Sequence, residues 1–316
     1  MKFFLVLLSL LFTSMAVQST PVTAYMDRVK QMIEPEENKE QRLRKQIQEQ
    51  AIQRYIAPVD ARIDRIWKAI PGLNGREVDL EGTFQATIKQ KKNEIVWKYR
   101  EIQPKVSLSD LGAVPIYKGN PQKEMAALMV NVAWGTEYVP EMLKILEKEQ
   151  VKATFFLDGS WLKKNPEVAK QIVAAGHEIG NHAYSHPLLS QVSTHRIEEE
   201  IRKTNELIKQ ILHIDSRWFA PPAGDFDQRV VEMAWKYKMH TILWTVDTVD
   251  WRKDSTPEKI VHRIEKGIAP GSLILTHPTD RTIQALPQMI RIVKGKGIKM
   301  GTVAEVLSSK RMGKIE

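Results

Sequence analysis

The chain has 316 residues, 42% of them hydrophobic, which suffices for one sizeable core and a smaller module in a soluble, globular protein. Its net charge of +9 points to polyanionic partners or to a solvated basic surface, since Lys and Arg are spread along the whole length; no basic stripe interleaved with aromatics is present, which argues against nucleic acid. The absence of cysteine excludes a thiolate metal site, a thiol nucleophile and a lipidated cysteine, so any metal has to be held by His and carboxylate.

In chain order, residues 1–20 carry an apolar run, Phe3–Phe12, after Lys2, with the small residues Ser14 and Ala16 at the −3 and −1 positions of a cleavage site. This is the pattern of an export signal, short for a spanning helix, or of an uncleaved N-terminal anchor. The expected location is therefore extracytoplasmic, at the cell wall or membrane, where anionic wall polymers and lipid headgroups are the polyanions at hand. Residues 21–56 are rich in Glu, Gln, Lys and Arg, and Met26, Val29, Met32 and Ile33 form a thin apolar stripe that Pro35 interrupts. A solvated arm of one or two helices is expected.

Residues 57–115 read as a small α/β module: a helical stripe Ile63/Ile66/Trp67/Ile70, a Pro71-Gly72 turn, and strand-like runs at Val78–Leu80 and Ile95–Tyr99. Gly112–Glu124, with Pro115, Gly119 and Pro121, reads as a linker. Beyond it, over residues 122–309, apolar runs alternate with amphipathic segments. Strands are predicted at Ala127–Val132, Ala153–Leu157, His177–Ile179, Trp218–Ala220, Thr241–Thr245, Leu273–Thr276 and Lys299–Thr302, and helices near 139–149, 166–175, 194–211, 227–236, 257–268 and 282–294. This rhythm predicts an α/β fold, a parallel barrel or a doubly wound sheet, with its chemistry at the carboxyl ends of the strands.

The polar clusters fall there. In GHEIGNHAYSHP (Gly176–Pro187), His182 and His186 stand four apart, so on a helical turn both imidazoles share a face and can meet one metal ion; packed or solvated histidines have the same spacing. Gly-rich phosphate loops and GxSxG are both absent, which removes nucleotide and Ser-hydrolase readings.

VKATFFLDG, GHEIGNHAYSHP, FAPPAGDFD, DTVDW and LILTHPT, with ALPQMI downstream, occur in an order and wording that resemble the polysaccharide deacetylase family, the NodB-homology or carbohydrate esterase family 4 fold, over roughly Ala127–Leu307. WGTEY (Trp134–Tyr138) resembles the first motif of the sporulation-associated Bacillus-type subgroup. The string GREVDLEGTFQATI and its continuation look like modules regarded as peptidoglycan-binding. The resemblance implies an irregular (β/α) barrel preceded by a helical arm and a small α/β module. It implies removal of an N-acetyl group from a GlcNAc-type sugar by a divalent metal, usually zinc, held by two His and one Asp, with an Asp as base and a His as acid. Carried onto this sequence, His182 and His186 match the ligand histidines, His277 the acid and Asp250 its orienting carboxylate. Trp251 matches the groove wall, and Pro221, Pro222, Ala223 and Gly224 match the substrate-facing turn.

The first motif departs from the family. Where the family reads TFDDG, this chain has Met129-Val130-Asn131-Val132-Ala133-Trp134-Gly135, placing Asn131 at the base and Val132 at the third metal ligand, with no Asp in the segment. An amide takes up no proton near neutral pH and a valine offers a metal nothing. The Arg that braces the base in the family corresponds to Ala220, a matching loss, since a guanidinium without its carboxylate would be an unpaired charge. Glu137, Asp225 and Asp247 are the candidates for a displaced carboxylate. The expected function is a wall-glycan (peptidoglycan) binder with deacetylation lost or much weakened and metal binding weak. An active N- or O-deacetylase using a displaced carboxylate, and a structural spore or wall protein, are the alternatives.

Overall fold

A computed structural model describes residues 20–33, 36–90 and 94–312. The expected leader lies outside these residues except for its last position. The elements follow in the order α1 (Thr20–Ile33), α2 (Glu36–Gln53), β1 (Arg62–Asp64), β2 (Lys68–Ile70), β3 (Gly75–Val78), α3 (Leu80–Gln90) and β4 (Tyr99–Ile102). Next come β5 (Met125–Val132), α4 (Val139–Lys148), β6 (Thr154–Leu157), α5 (Gly159–Lys164), α6 (Pro166–Ala174), β7 (Glu178–Asn181), α7 (Thr194–Leu212), β8 (Trp218–Phe219) and α8 (Gln228–Lys236). The chain closes with β9 (His240–Thr241), β10 (Val246–Asp247), α9 (Pro257–Gly267), β11 (Leu273–Thr276), α10 (Asp280–Gly295), β12 (Lys299–Gly301) and α11 (Val303–Leu307). Among the described residues no helix is long and apolar enough to cross a membrane.

Two compact units form: one of residues up to 56 with 76–100, the other of 57–75 with 101 onward. In the first, α2 is packed on its neighbours. Ile47 is buried with Val78 and Phe84, and Leu43, Ala51, Ile95 and Trp97 close around them. The Arg44 guanidinium lies 3.6 Å over the Phe84 ring while pairing with Glu81 at 2.6 Å. The half of the arm expected to be a solvated spacer therefore supplies one wall of a small core. Helix α3 escaped the sequence reading because Thr83, Phe84 and Thr87 are its buried residues, a Thr-rich face that reads as strand.

The stretch 57–115 is divided between the units, and the helix expected from Ile63, Ile66, Trp67 and Ile70 is a β-hairpin: β1 pairs antiparallel with β2, Arg62 opposite Ile70. Asp64 Oδ1 accepts from the amides of Ile66 and Trp67 and turns the chain. The expected linker is also structured, with Ile116 fully buried and bridging Ile242, and Lys118 bridging Ser272.

The second unit is the α/β fold that the rhythm predicts. Its eight-stranded sheet has the order β10-β11-β5-β6-β7-β8-β9, all parallel, with β12 added beside β5. No ladder joins β9 to β10 among the described residues, so the sheet is a curled parallel half-barrel. β5 is its central strand and all eight of its residues are buried, as a strand covered on both faces requires. Ala126, Leu128, Val130 and Val132 share a cluster with residues of α4, α9 and α10, whereas Met125, Ala127 and Met129 join Phe156, Ala220, Ile242 and Leu273 in a second cluster on the concave face. Side-chain alternation continues that concave row to Asn131 at the carboxyl end. Strand β9 is shorter than expected: Ile242 N still donates to Phe219 O, but Leu243 N donates to Ile116 O and Ile116 N to Thr241 O, so the chain turns onto the 116 segment.

Candidate functional site

The carboxyl ends of the strands open into a cleft of ≈570 Å³ lined by Asn131, His182, His186, Asp247 and His277 and walled by Trp134, Trp244 and Trp251. The loop after β7 brings the two histidines together, though not as a helical turn. Ala183 (φ 60°) and His186 (φ 59°) are both left-handed, which folds the chain tightly enough to set the imidazoles edge to face with centroids 5.1 Å apart. Asn181 Oδ1 accepts from Ala183 N at 2.9 Å, and its Nδ2 donates to the Ile201 carbonyl. From α7, the buried Glu200 carboxylate accepts from the amides of Tyr184 and Ser185 and from Ser185 Oγ at 2.7–2.8 Å, and Arg196 pairs with it. Gly159 permits this approach, since a Cβ there would fall 2.6 Å from the Tyr184 ring. Glu200 was not legible as a site residue: an acid in mid-helix reads as part of a solvated face.

His182 Nδ1 lies 2.7 Å from the Ala220 carbonyl, which fixes the proton on Nδ1 and leaves Nε2 with a lone pair. Burial, with the neighbouring His186 charge, lowers the His182 pKa to about 3, so the ring is neutral. His177, buried behind the sheet and accepting from Ala153 N, is likewise lowered by burial, and further by Lys152, to about 4. Both rings titrate near 6.5 in the unfolded chain. Because the folded values are depressed, the unfolded chain takes up protons first, and stability falls as pH drops from 6.5 toward the folded values, by about 1.4 kcal/mol per pH unit for each histidine. Urea unfolding midpoints measured at pH 7.5, 6.5 and 5.0 are expected to fall slightly between the first two and clearly at the third; a flat profile would contradict buried neutral rings.

His277 Nδ1 lies 2.7 Å from Asp250 Oδ1. Asp250 is fully buried, and its Oδ2 accepts from His277 N, Thr276 Oγ1 and Thr282 Oγ1 at 2.6–2.7 Å. Burial pushes this carboxyl up, but the His277 hydrogen bonds and charge, with Thr282, outweigh it and hold it below the ordinary carboxylate value. Trp134 stacks on His277 at 5.8 Å and 8°. Gly135 (φ 73°) makes that loop possible, because a Cβ would strike the Pro278 carbonyl. Val249, between Asp247 and Asp250, is β-branched yet left-handed (φ 54°), a strained turn whose amide Asp247 Oδ1 accepts at 2.7 Å.

Of the residues singled out in sequence, the cleft gathers Asn131, His182, His186, Ala223, Trp251 and His277, with Asp250 behind His277. Val132 is not among them. It is fully buried in the cluster on the helix-covered face, so it lies off the cleft altogether. Pro221 and Pro222 are buried and shape the turn instead of lining the cleft. Gly224 acts from behind: a Cβ on it would fall 2.7 Å from Trp244, a wall that sequence reasoning missed. Of the three candidate carboxylates only Asp247 lines the cleft; Asp225 is bonded to Ser190 N and Oγ, and Glu137 is exposed elsewhere.

The donor set bears on metal binding. Two imidazoles, one with its tautomer fixed, suit a divalent ion, but no group of three His, Asp or Glu side chains able to hold one exists among the described residues. The further polar atom supplied by β5 is Asn131 Oδ1, a neutral amide oxygen, buried and without a hydrogen-bond partner. The residues present do not complete the two-His, one-Asp set.

Residues 118–242 match the polysaccharide deacetylase family. The chain is 46% identical over 258 residues to the protein YlxY of Bacillus subtilis (strain 168), a match that spans 81% of each. It is 46% identical to BA3943 from Bacillus anthracis, a CE4 family pseudoenzyme, whose crystal structure matches with a TM-score of 0.77 over 85% of this chain and 96% of that one. A mutant of BA3943 with restored enzymatic activity matches at 44% identity with the same TM-score, over 85% and 99%. The peptidoglycan-N-acetylglucosamine deacetylase of Bacillus cereus is 32% identical over 200 residues, 62% of this chain and 72% of that protein.

Proposed function

The chain belongs to the polysaccharide deacetylase family, carbohydrate esterase family 4, and from that premise we propose that it is a pseudoenzyme that binds GlcNAc-containing wall glycan without deacetylating it. The observation that carries this reading is Asn131: where the family's first motif has its base, this chain has an amide whose oxygen is buried, unpartnered and facing the cleft. An unpaired buried acceptor is costly alone, and an acetamido N–H would satisfy it. The group that would have drawn a proton from water becomes one that receives a hydrogen bond from the ligand. The three indoles support the same reading, since flat apolar walls around a few polar groups suit sugar faces.

His277 and Asp250 keep the geometry of an oriented imidazole. With no carboxylate at residue 131 and an incomplete donor set for the family's metal, no water is activated and the imidazole has no leaving group to protonate. A second reading, active deacetylation with Asp247 as displaced carboxylate, is supported by that residue's place in the cleft and by the burial that raises its pKa. Peptidoglycan as the polymer, an extracytoplasmic location and the sporulation setting are carried from the relatives' names and the sequence resemblance. The test is chitooligosaccharide binding by calorimetry. Trp251→Ala is expected to weaken it by about 10-fold or more, the cost of losing one aromatic wall at the centre of a binding site; unchanged affinity would remove the cleft from the binding account.

A further inference from the structure

Beside the histidine cleft lies a second one of ≈530 Å³, and its lining is basic: Lys259, His262, Arg263 and Lys266 from α9 face Asp247 across it. The spacing of these four follows one face of the helix, while Ile260 and Ile264 on the other face are buried in the core. The acids of α9, Glu258 and Glu265, do not line the cleft. Thr256 caps the helix by accepting from Lys259 N, and Lys259 Nζ donates to the Asp254 carbonyl at 2.7 Å. Among the described residues, Lys259, Arg263 and Lys266 enter no ion pair, although the Arg263 charge reaches Asp247.

Helix physics explains little of this arrangement. Like charges at i,i+3 and i,i+4 destabilise a helix by a few tenths of a kcal/mol per pair. The macrodipole favours Lys266 in the last turn but opposes Lys259 in the first. Three cations on one open face, none of them in an ion pair among the described residues, fit an external anion. Asp247 lines both clefts, so the two adjoin at that residue.

We propose that this α9 cleft is a second subsite that receives carboxylate substituents of the glycan strand whose neighbouring sugar occupies the histidine cleft. It rests on the glycan-binding reading and adds to it which polymer is preferred: a carboxylate-bearing strand over a neutral one. Arg263 offers a planar, two-toothed partner for a carboxylate, and the lysines add charge along the path.

The experiment measures binding of neutral chitooligosaccharide and of peptidoglycan strands carrying stem-peptide carboxylates, in low salt and in about 0.5 M salt, where charge interactions are screened beyond a few Å. Wild type is compared with a Lys259→Gln/Arg263→Gln/Lys266→Gln variant and with a Lys144→Gln/Lys163→Gln/Lys209→Gln control that removes equal charge from exposed sites elsewhere. The wild type and the control are expected to bind the carboxylated strand about 10-fold more tightly than the neutral one at low salt, about 1.4 kcal/mol. The α9 variant is expected to lose that preference while binding the neutral oligosaccharide unchanged, and salt should erase it in the wild type and the control. A preference that survives in the α9 variant, a preference lost equally in the control, or a sugar-free glycerol-phosphate polymer that binds wild type as tightly as the carboxylated strand would each overturn the proposal. Failure of the underlying reading looks different: the neutral oligosaccharide would not bind at all, and Trp251→Ala would change neither probe.

Discussion

Asn131→Asp is expected to give a zinc-dependent deacetylase with acetate release at least ~10²-fold above the wild type, because positioned acid–base assistance is worth about that much or more. The physical case is local. Asn131 continues the concave row of β5 and lines the same cleft as His182, His186 and His277, and its Oδ1 has no partner to give up. The change is nearly isosteric, so packing at the end of β5 is retained, while a neutral acceptor is replaced by an anion that lines the same cleft as His182 and His186. Acetate release from chitooligosaccharide, with zinc titrated by calorimetry, checks both halves. No gain in either would mean that residue 131 is not where the site lacks its charge.

Val132→Asp is expected to do the opposite. Read from the motif alone, residue 132 is the missing metal ligand, yet the alternation of β5 turns it into the apolar layer beneath α4, α9 and α10, where it is fully buried. An unpaired carboxylate there is expected to cost about 3–5 kcal/mol, enough to unfold a marginal protein or leave it insoluble. The Asn131→Asp/Val132→Asp pair should therefore be worse than Asn131→Asp alone in urea unfolding and in acetate release. A stable Val132→Asp protein, with a double variant that binds zinc more tightly than the single one, would show that β5 ends earlier and that residue 132 turns into the cleft.

Much of the second unit was legible because its signals are local. A parallel strand buried on both faces is a short apolar run such as Ala127–Val132, and helices such as α7 and α9 announce themselves by Ser193 and Thr256 caps and by spaced Ile residues. The hairpin at 62–70 was misread because Ile63, Ile66 and Ile70 happen to fall at helical spacing, although Ile63 and Ile66 are exposed. The Asp64 turn was the available signal. The motifs made His182, His186, Asp250 and His277 legible as residues that the fold brings together at one cleft. What was not legible depends on contacts between distant segments: Glu200 clamping the histidine loop, Trp244 braced by Gly224, and the parity that separates Asn131 from Val132. Parity needs the strand's end to within one residue, the finest thing a single sequence has to offer.

We propose above all that this cleft keeps three imidazoles and three indoles but lacks the carboxylate that makes water reactive. This is tested most directly by acetate release from peptidoglycan and chitooligosaccharide by the purified wild-type protein in excess zinc, beside Asn131→Asp in the same assay. No release above buffer is expected for the wild type, and clear turnover for the variant. Wild-type turnover at an ordinary enzyme rate, abolished by Asp247→Asn, would contradict it and establish the displaced-carboxylate reading in its place.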